Sequence, residues 1–143
     1  MTPELNAMVE SRLRLASGLM ATVQIGSQST EYDIRNSLSR LYYAFFHVSL
    51  AVLTAPGVDI RTISSTHGNV HSRIQSTPGQ YMGRQLRQLY DLRRYADYDV
   101  KMFSDRYRDN IEEARKQTIA VLKRAQTDFR WLYREADKSL RQT

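Results

Sequence analysis

The stretch that most constrains this chain is Glu31 to Thr54, EYDIRNSLSRLYYAFFHVSLAVLT, which runs without a single Gly or Pro. At the rise of an α-helix it predicts one rod roughly 36 Å long. From Leu41 to Leu53 it is apolar on almost every side, and a helix apolar all round is buried in a bundle. Arg40 and His47 interrupt that pattern. Seven residues at about 100° each come within about 20° of two full turns, so both side chains leave the same face about 10 Å apart. Asn36 and Tyr43 fall on the same stripe. A buried cation and a buried imidazole are costly unless partnered, so both are expected to meet something.

The chain has 143 residues, enough for one domain with its own core. It contains no cysteine, which excludes disulfides and thiolate metal sites and suits a reducing compartment. No apolar run reaches the length of a membrane span, and the N-terminus lacks the form of a signal peptide, so a cytoplasmic location without membrane contact is expected. The formal charge is +6, and 17 of the 21 basic residues are Arg. Guanidinium groups grip phosphate through two parallel hydrogen bonds and stack on bases, so this balance leans towards RNA or another anionic partner.

Four long helices and a short one are expected, and β-strand alternation is missing, so the fold class is all-α, an up-down bundle. Pro3 to Val23 carries the first apolar stripe, with Thr2 as cap. GSQST (residues 26–30) is a turn in which Ser29 or Thr30 caps the central helix. Pro56-Gly57 ends that helix, and THGNVHSRI from Thr66 reads as a short helix with Val70 and Ile74 inward. Tyr81 to Arg94 reads as a third long helix with Leu86, Leu89, Tyr90 and Arg93 on one side. YADYDVKMFS is expected to be a loop carrying Tyr95 and Tyr98 across the bundle, and a last helix is expected from Ser104 or Asp105 to about Leu140.

SRLYYAFFH (Ser39 to His47) resembles the R-x-x-YYA-x-FH segment of the HEPN domains, a family of small helical proteins. Arg40 and His47 match its R-x(4–6)-H motif, and Tyr42, Tyr43 and Ala44 match the YYA it encloses in one prokaryotic branch. Thr66-His67 looks like the family's TH segment, and LRRYADY (Leu92 to Tyr98) looks like its LR-x-x-ADY stretch. The resemblance runs from roughly Met8 to Leu132. It implies a homodimer through the 31–54 helix, with two Arg/His pairs lining a shared cleft. It further implies a metal-independent endoribonuclease with no cofactor, of the kind often encoded as a toxin beside an MNT-type nucleotidyltransferase antitoxin. In that reading Arg40 and His47 are catalytic: His47 moves the proton of a ribose 2′-OH and Arg40 stabilises the phosphorane. Asn36, Tyr43, His67, Arg94, Asp97 and Tyr98 would line the cleft or contact RNA. The alternative class is a non-catalytic dimeric HEPN module that binds a nucleotidyltransferase partner or a nucleotide. Two positions depart from the family pattern. Leu41 follows the motif Arg where many active members have Asn, Asp or His, and Ser49 replaces the Tyr of the branch silenced by adenylylation.

Other polar groups have plainer readings. His67 and His71 stand four apart, but nothing nearby completes a metal site, so none is assigned. Asp97 is expected to anchor Arg40 or Arg94 in an ion pair. Arg84, Arg87, Arg93 and Arg94, interleaved with Tyr81, Tyr90, Tyr95 and Tyr98, have the composition either of an RNA-contacting surface or of a solvated face with tyrosines packed inward.

Overall fold

The computed structural model describes residues 2–55, 57, 70, 73 and 80–141, and every one of its regular elements is a helix. The first, α1 (Pro3–Ala21), starts where the Thr2 hydroxyl accepts the Leu5 amide at 3.2 Å, with Pro3 in the first turn where its missing N–H has no intrahelical role. The second, α2 (Glu31–Thr54), is as long as its sequence requires. A capping box sets its start: the Thr30 hydroxyl accepts the Asp33 amide at 3.2 Å, and the Asp33 carboxylate accepts the Thr30 amide at 2.8 Å. The Thr30 amide first, and the Thr30 side chain second, hold the Asp33 carboxyl below the usual aspartate range.

α3 (Gln80–Tyr98) runs four residues past the expected stop, so Tyr95 to Tyr98 form its last turn and not a loop. The cause is non-local. Arg35 of α2 donates to the carbonyls of Ala96 at 2.9 Å and Tyr95 at 3.3 Å, placing a cation on the negative end of α3. The last helix is also not continuous from Ser104. A six-residue α4 (Met102–Tyr107) stops at Arg108 and Asp109, both left-handed with φ of 53° and 58°, and α5 (Ile111–Arg141) begins behind them. The Asn110 side chain accepts the Glu113 amide at 3.1 Å and caps α5. Val70 is helical and buried and Arg73 is helical and exposed; the remainder of the expected 66–74 helix lies outside the described residues.

α2 is the axis of the molecule, packed against α1, α3 and α5. Its core side chains Leu41, Tyr42, Ala44, Phe45 and Val48 meet Val9, Leu13 and Ala16 of α1, Leu86 and Leu89 of α3, and Ala125, Phe129 and Leu132 of α5. Removing a fully buried aromatic such as Phe45 costs about 3–5 kcal/mol. A second cluster, Ile34, Leu38, Ala96, Met102, Phe103 and Tyr107, ties the N-terminal half of α2 to α4. The buried hydroxyls of Ser49 and Thr54 donate to carbonyls one turn back, both at 2.8 Å, so neither is left unsatisfied. The outcome is an all-helical bundle. No described helix is long and apolar enough to cross a membrane.

Candidate functional site

The stripe Asn36–Arg40–Tyr43–His47 does not run through the interior. Asn36 and Arg40 are exposed, Tyr43 and His47 are partly covered, and the same face becomes buried at Thr54. The expectation of a cation inside an all-apolar run therefore fails for Arg40. α1 and α3 cover the flanks of α2 here and leave this ridge open to water.

On the α1 side, α1 and α2 form an antiparallel hairpin with a hydrogen bond towards one end and a polar groove at the other. At one end, an Arg12 guanidinium N–H donates to His47 Nδ1 at 2.9 Å. At the other, Thr22, Gln24 and Ser27 face Asp33, Asn36 and Arg40 across a polar groove of about 760 Å³. The wall of that groove is a built turn. The Gly26 amide donates to Ser29 Oγ at 2.9 Å, Ser37 Oγ donates to the Gln24 carbonyl at 3.2 Å, and Arg115 Nε of α5 donates to the Ser29 carbonyl at 2.7 Å. Arg40 makes no hydrogen bond or ion pair among the described residues, so its guanidinium is available to an anion.

The Arg12 contact fixes the state of His47. Guanidinium groups only donate, so Nδ1 must carry the lone pair and Nε2 the proton. Burial of the ring first, and the Arg12 charge second, push the His47 pKa down to about 4. At neutral pH the imidazole is uncharged and presents an Nε2–H donor, while its one basic nitrogen is occupied.

On the α3 side stands Arg93, which the sequence set on one face with Leu86, Leu89 and Tyr90. Arg93 is 6% exposed, and its guanidinium faces the rings of Tyr90 at 5.2 Å, Tyr42 at 5.5 Å, Tyr43 at 5.7 Å and Tyr98 at 5.8 Å. Burial opposes its charge, but Tyr43, Asp97 and Tyr98 outweigh burial and raise its pKa. Its carboxylate partner is Asp97 at 3.4 Å, which also accepts from Ser39 Oγ at 3.4 Å. Asp97 thus pairs with Arg93, and neither Arg40 nor Arg94 is its partner. Through this cage Tyr43, Asp97 and Tyr98 converge beside the stripe. Arg94 points elsewhere: it is exposed, lies 5.8 Å from the Tyr90 ring, and lines a separate shallow groove with Asp91, Tyr95 and Asp99, whose rim Tyr98 reaches. His67 and His71 lie outside the described residues.

Sequence reasoning missed Arg12 altogether. Its only trace was position: three residues after Val9 and four before Ala16, it sits on the edge of the buried stripe of α1, where a long charged side chain is half-covered. Among the described residues no three His, Asp or Glu side chains converge as metal ligands. In comparisons with protein-family models, curated proteins and solved structures, nothing matches this chain.

Proposed function

We propose that this chain is a metal-independent endoribonuclease of the HEPN type, working as a homodimer through α2 and acting as a toxin or defence effector. The observation that carries the reading is the open ridge on α2. Arg40 stands exposed over a polar groove, and a histidine held in one tautomer lies two turns further along the same face. The net charge of +6 supports a polyanionic substrate.

Cleavage by this route needs no redox partner. The ribose 2′-O attacks the adjacent phosphorus and gives its proton to a base. The P–O5′ bond breaks, O5′ takes a proton from an acid, and a cyclic phosphate and a 5′-hydroxyl result. In this reading Arg40 neutralises the phosphorane oxygens, and two His47 rings in a shared cleft divide the base and acid roles. Tyr43, braced by Arg93, offers a partly exposed ring edge for a base.

Purified protein incubated with a mixed-sequence RNA in EDTA tests this reading. Cleavage lost by at least 100-fold in both Arg40→Ala and His47→Ala, with a dimeric mass in solution, is the expected result. Undiminished cleavage in both variants refutes it. A second reading is favoured by one observation, the occupied Nδ1 of His47: a non-catalytic dimeric module that binds a nucleotide or an MNT-type nucleotidyltransferase. It predicts no cleavage at all and saturable binding of one of those partners.

A further inference from the structure

Arg12 is a cation with an unusual partner. Its one hydrogen bond among the described residues goes to a neutral imidazole, with no carboxylate paired to it. In the familiar arrangement an acidic group holds the second nitrogen of a catalytic histidine and raises its basicity. Here a guanidinium occupies that position and does the reverse. A phosphate offers the guanidinium two parallel hydrogen bonds and a negative charge where the imidazole offers one neutral nitrogen, so an anion reaching this point displaces the imidazole nitrogen from Arg12. Arg40 leaves the same face of α2 as His47, two turns or about 10 Å along the helix, so an anionic chain laid along that face from Arg40 reaches the Arg12–His47 pair.

We infer that Arg12 is a phosphate-contacting residue that also positions His47: a phosphodiester entering the α1–α2 seam takes the Arg12 guanidinium and releases the Nδ1 lone pair. The inference rests on the reading of this seam as an RNA site. It deepens that reading by making substrate the switch between an inert ring and a basic one. Among the described residues Arg12 of α1 is the one charged group whose field reaches the ring; its neighbour Phe46 on α2 is apolar. When the guanidinium turns to a phosphate, a positive field is neutralised and a negative one arrives. Both changes favour protonation. His47 is therefore held neutral at neutral pH by burial and by Arg12, and a bound phosphodiester frees it to accept a proton.

The test uses a 2′-O-methyl oligoribonucleotide, which has no 2′-OH to react, and ring-nitrogen NMR of His47 assigned with His47→Asn. In the wild type the free protein shows an Nε2–H ring that resists protonation. Saturating oligonucleotide shifts the Nδ1 resonance and raises the titration midpoint by at least one unit. In Arg12→Ala the midpoint is already raised without ligand, oligonucleotide moves it by less than half as much, and affinity falls about tenfold with a salt slope smaller by about one. Arg12→Lys keeps the charge but lacks the fork; it is the companion variant should Arg12→Ala fail to fold, and it shows intermediate affinity. An oligonucleotide that does not bind, or that binds without touching the His47 resonances or needing Arg12, overturns the inference. If wild-type protein cuts no RNA yet the oligonucleotide still releases His47 through Arg12, the nuclease reading fails and this one stands.

Discussion

Replacing Arg93 by Met asks whether the buried cation stabilises the protein or merely sits in it. A guanidinium over an aromatic ring gains about 0.5–1 kcal/mol when exposed and about 2 kcal/mol when desolvated. Arg93 faces four rings at 5.2 to 5.8 Å and is almost wholly buried, but one planar group does not collect four full contributions. Desolvation works against the sum, and the pairing with Asp97 at 3.4 Å is long. The net favourable effect is then about 1–2 kcal/mol. Met retains the unbranched stem and loses the guanidinium with its charge and its hydrogen bond to Asp97, leaving a carboxylate that solvent already reaches. With a urea slope near 2 kcal/mol/M, the unfolding midpoint falls by about 0.5–1 M. Arg93→Ala also empties the space between the rings and loses about 3 kcal/mol. A cycle of Arg93→Met with Tyr90→Leu should give a coupling of about 0.5–1 kcal/mol. Buried ions replaced by apolar side chains are often neutral or stabilising, so the sign is informative. A Met variant with a midpoint at or above wild type refutes the claim that the cage stabilises its cation.

Other expectations are checked more simply. The His47 pKa is about 4 in the folded chain against an unfolded value of 6.5, so the unfolded state takes up a proton first. Stability is full above about pH 6.5 and falls as pH drops towards 4, by about 1–2 kcal/mol once solvent screening of the half-buried ring is allowed for; denaturation at pH 7 and 5 should show it, and His47→Asn should flatten the difference. Burial raises the pKa of Asp128, which works in the opposite sense and adds stability as pH falls, so the His47 effect is read against that background. Arg108→Gly relieves a left-handed residue between α4 and α5 and should stabilise by about 0.5–1 kcal/mol, measured by thermal unfolding. Thr30→Ala removes one half of the capping box of α2 and should cost about 1 kcal/mol in the same assay.

What the sequence disclosed and what it hid follow from the range of the forces involved. The limits of α2 were readable because its capping signal is local: Thr30 and Asp33 stand three apart, and no breaker interrupts the run before Pro56. The end of α3 was not readable, because the group that caps it is Arg35, about sixty positions earlier in the chain. The break between α4 and α5 was masked by its own periodicity. Phe103, Tyr107, Ile111 and Ala114 continue a helical stripe across it at steps of four, four and three, and only the Asp109-Asn110 pair signalled a turn. At the site, spacing alone put Asn36, Arg40, Tyr43 and His47 on one face. Which neighbours would cover that face is a tertiary matter, so Arg40 was expected inside and stands in water, while Arg12 went unseen.

The two ends of that face are therefore not equivalent. Arg40 needs nothing further to receive a phosphate: it is exposed, unpaired among the described residues, and set above a groove whose wall is held by α5. His47 is the reverse, half-covered and kept neutral by a neighbour that also blocks its basic nitrogen. A ring in that condition donates a hydrogen bond but takes no proton at neutral pH, so in the proposed enzyme one chain alone would hold an anion subsite and a silent base. The Arg12–His47 contact lies within one chain, so in the proposed enzyme a second copy docked on α2 would not by itself free the ring. Dimerisation and activation are then separate events in the proposed enzyme, the first governed by the surface of α2 and the second by what reaches the guanidinium on α1.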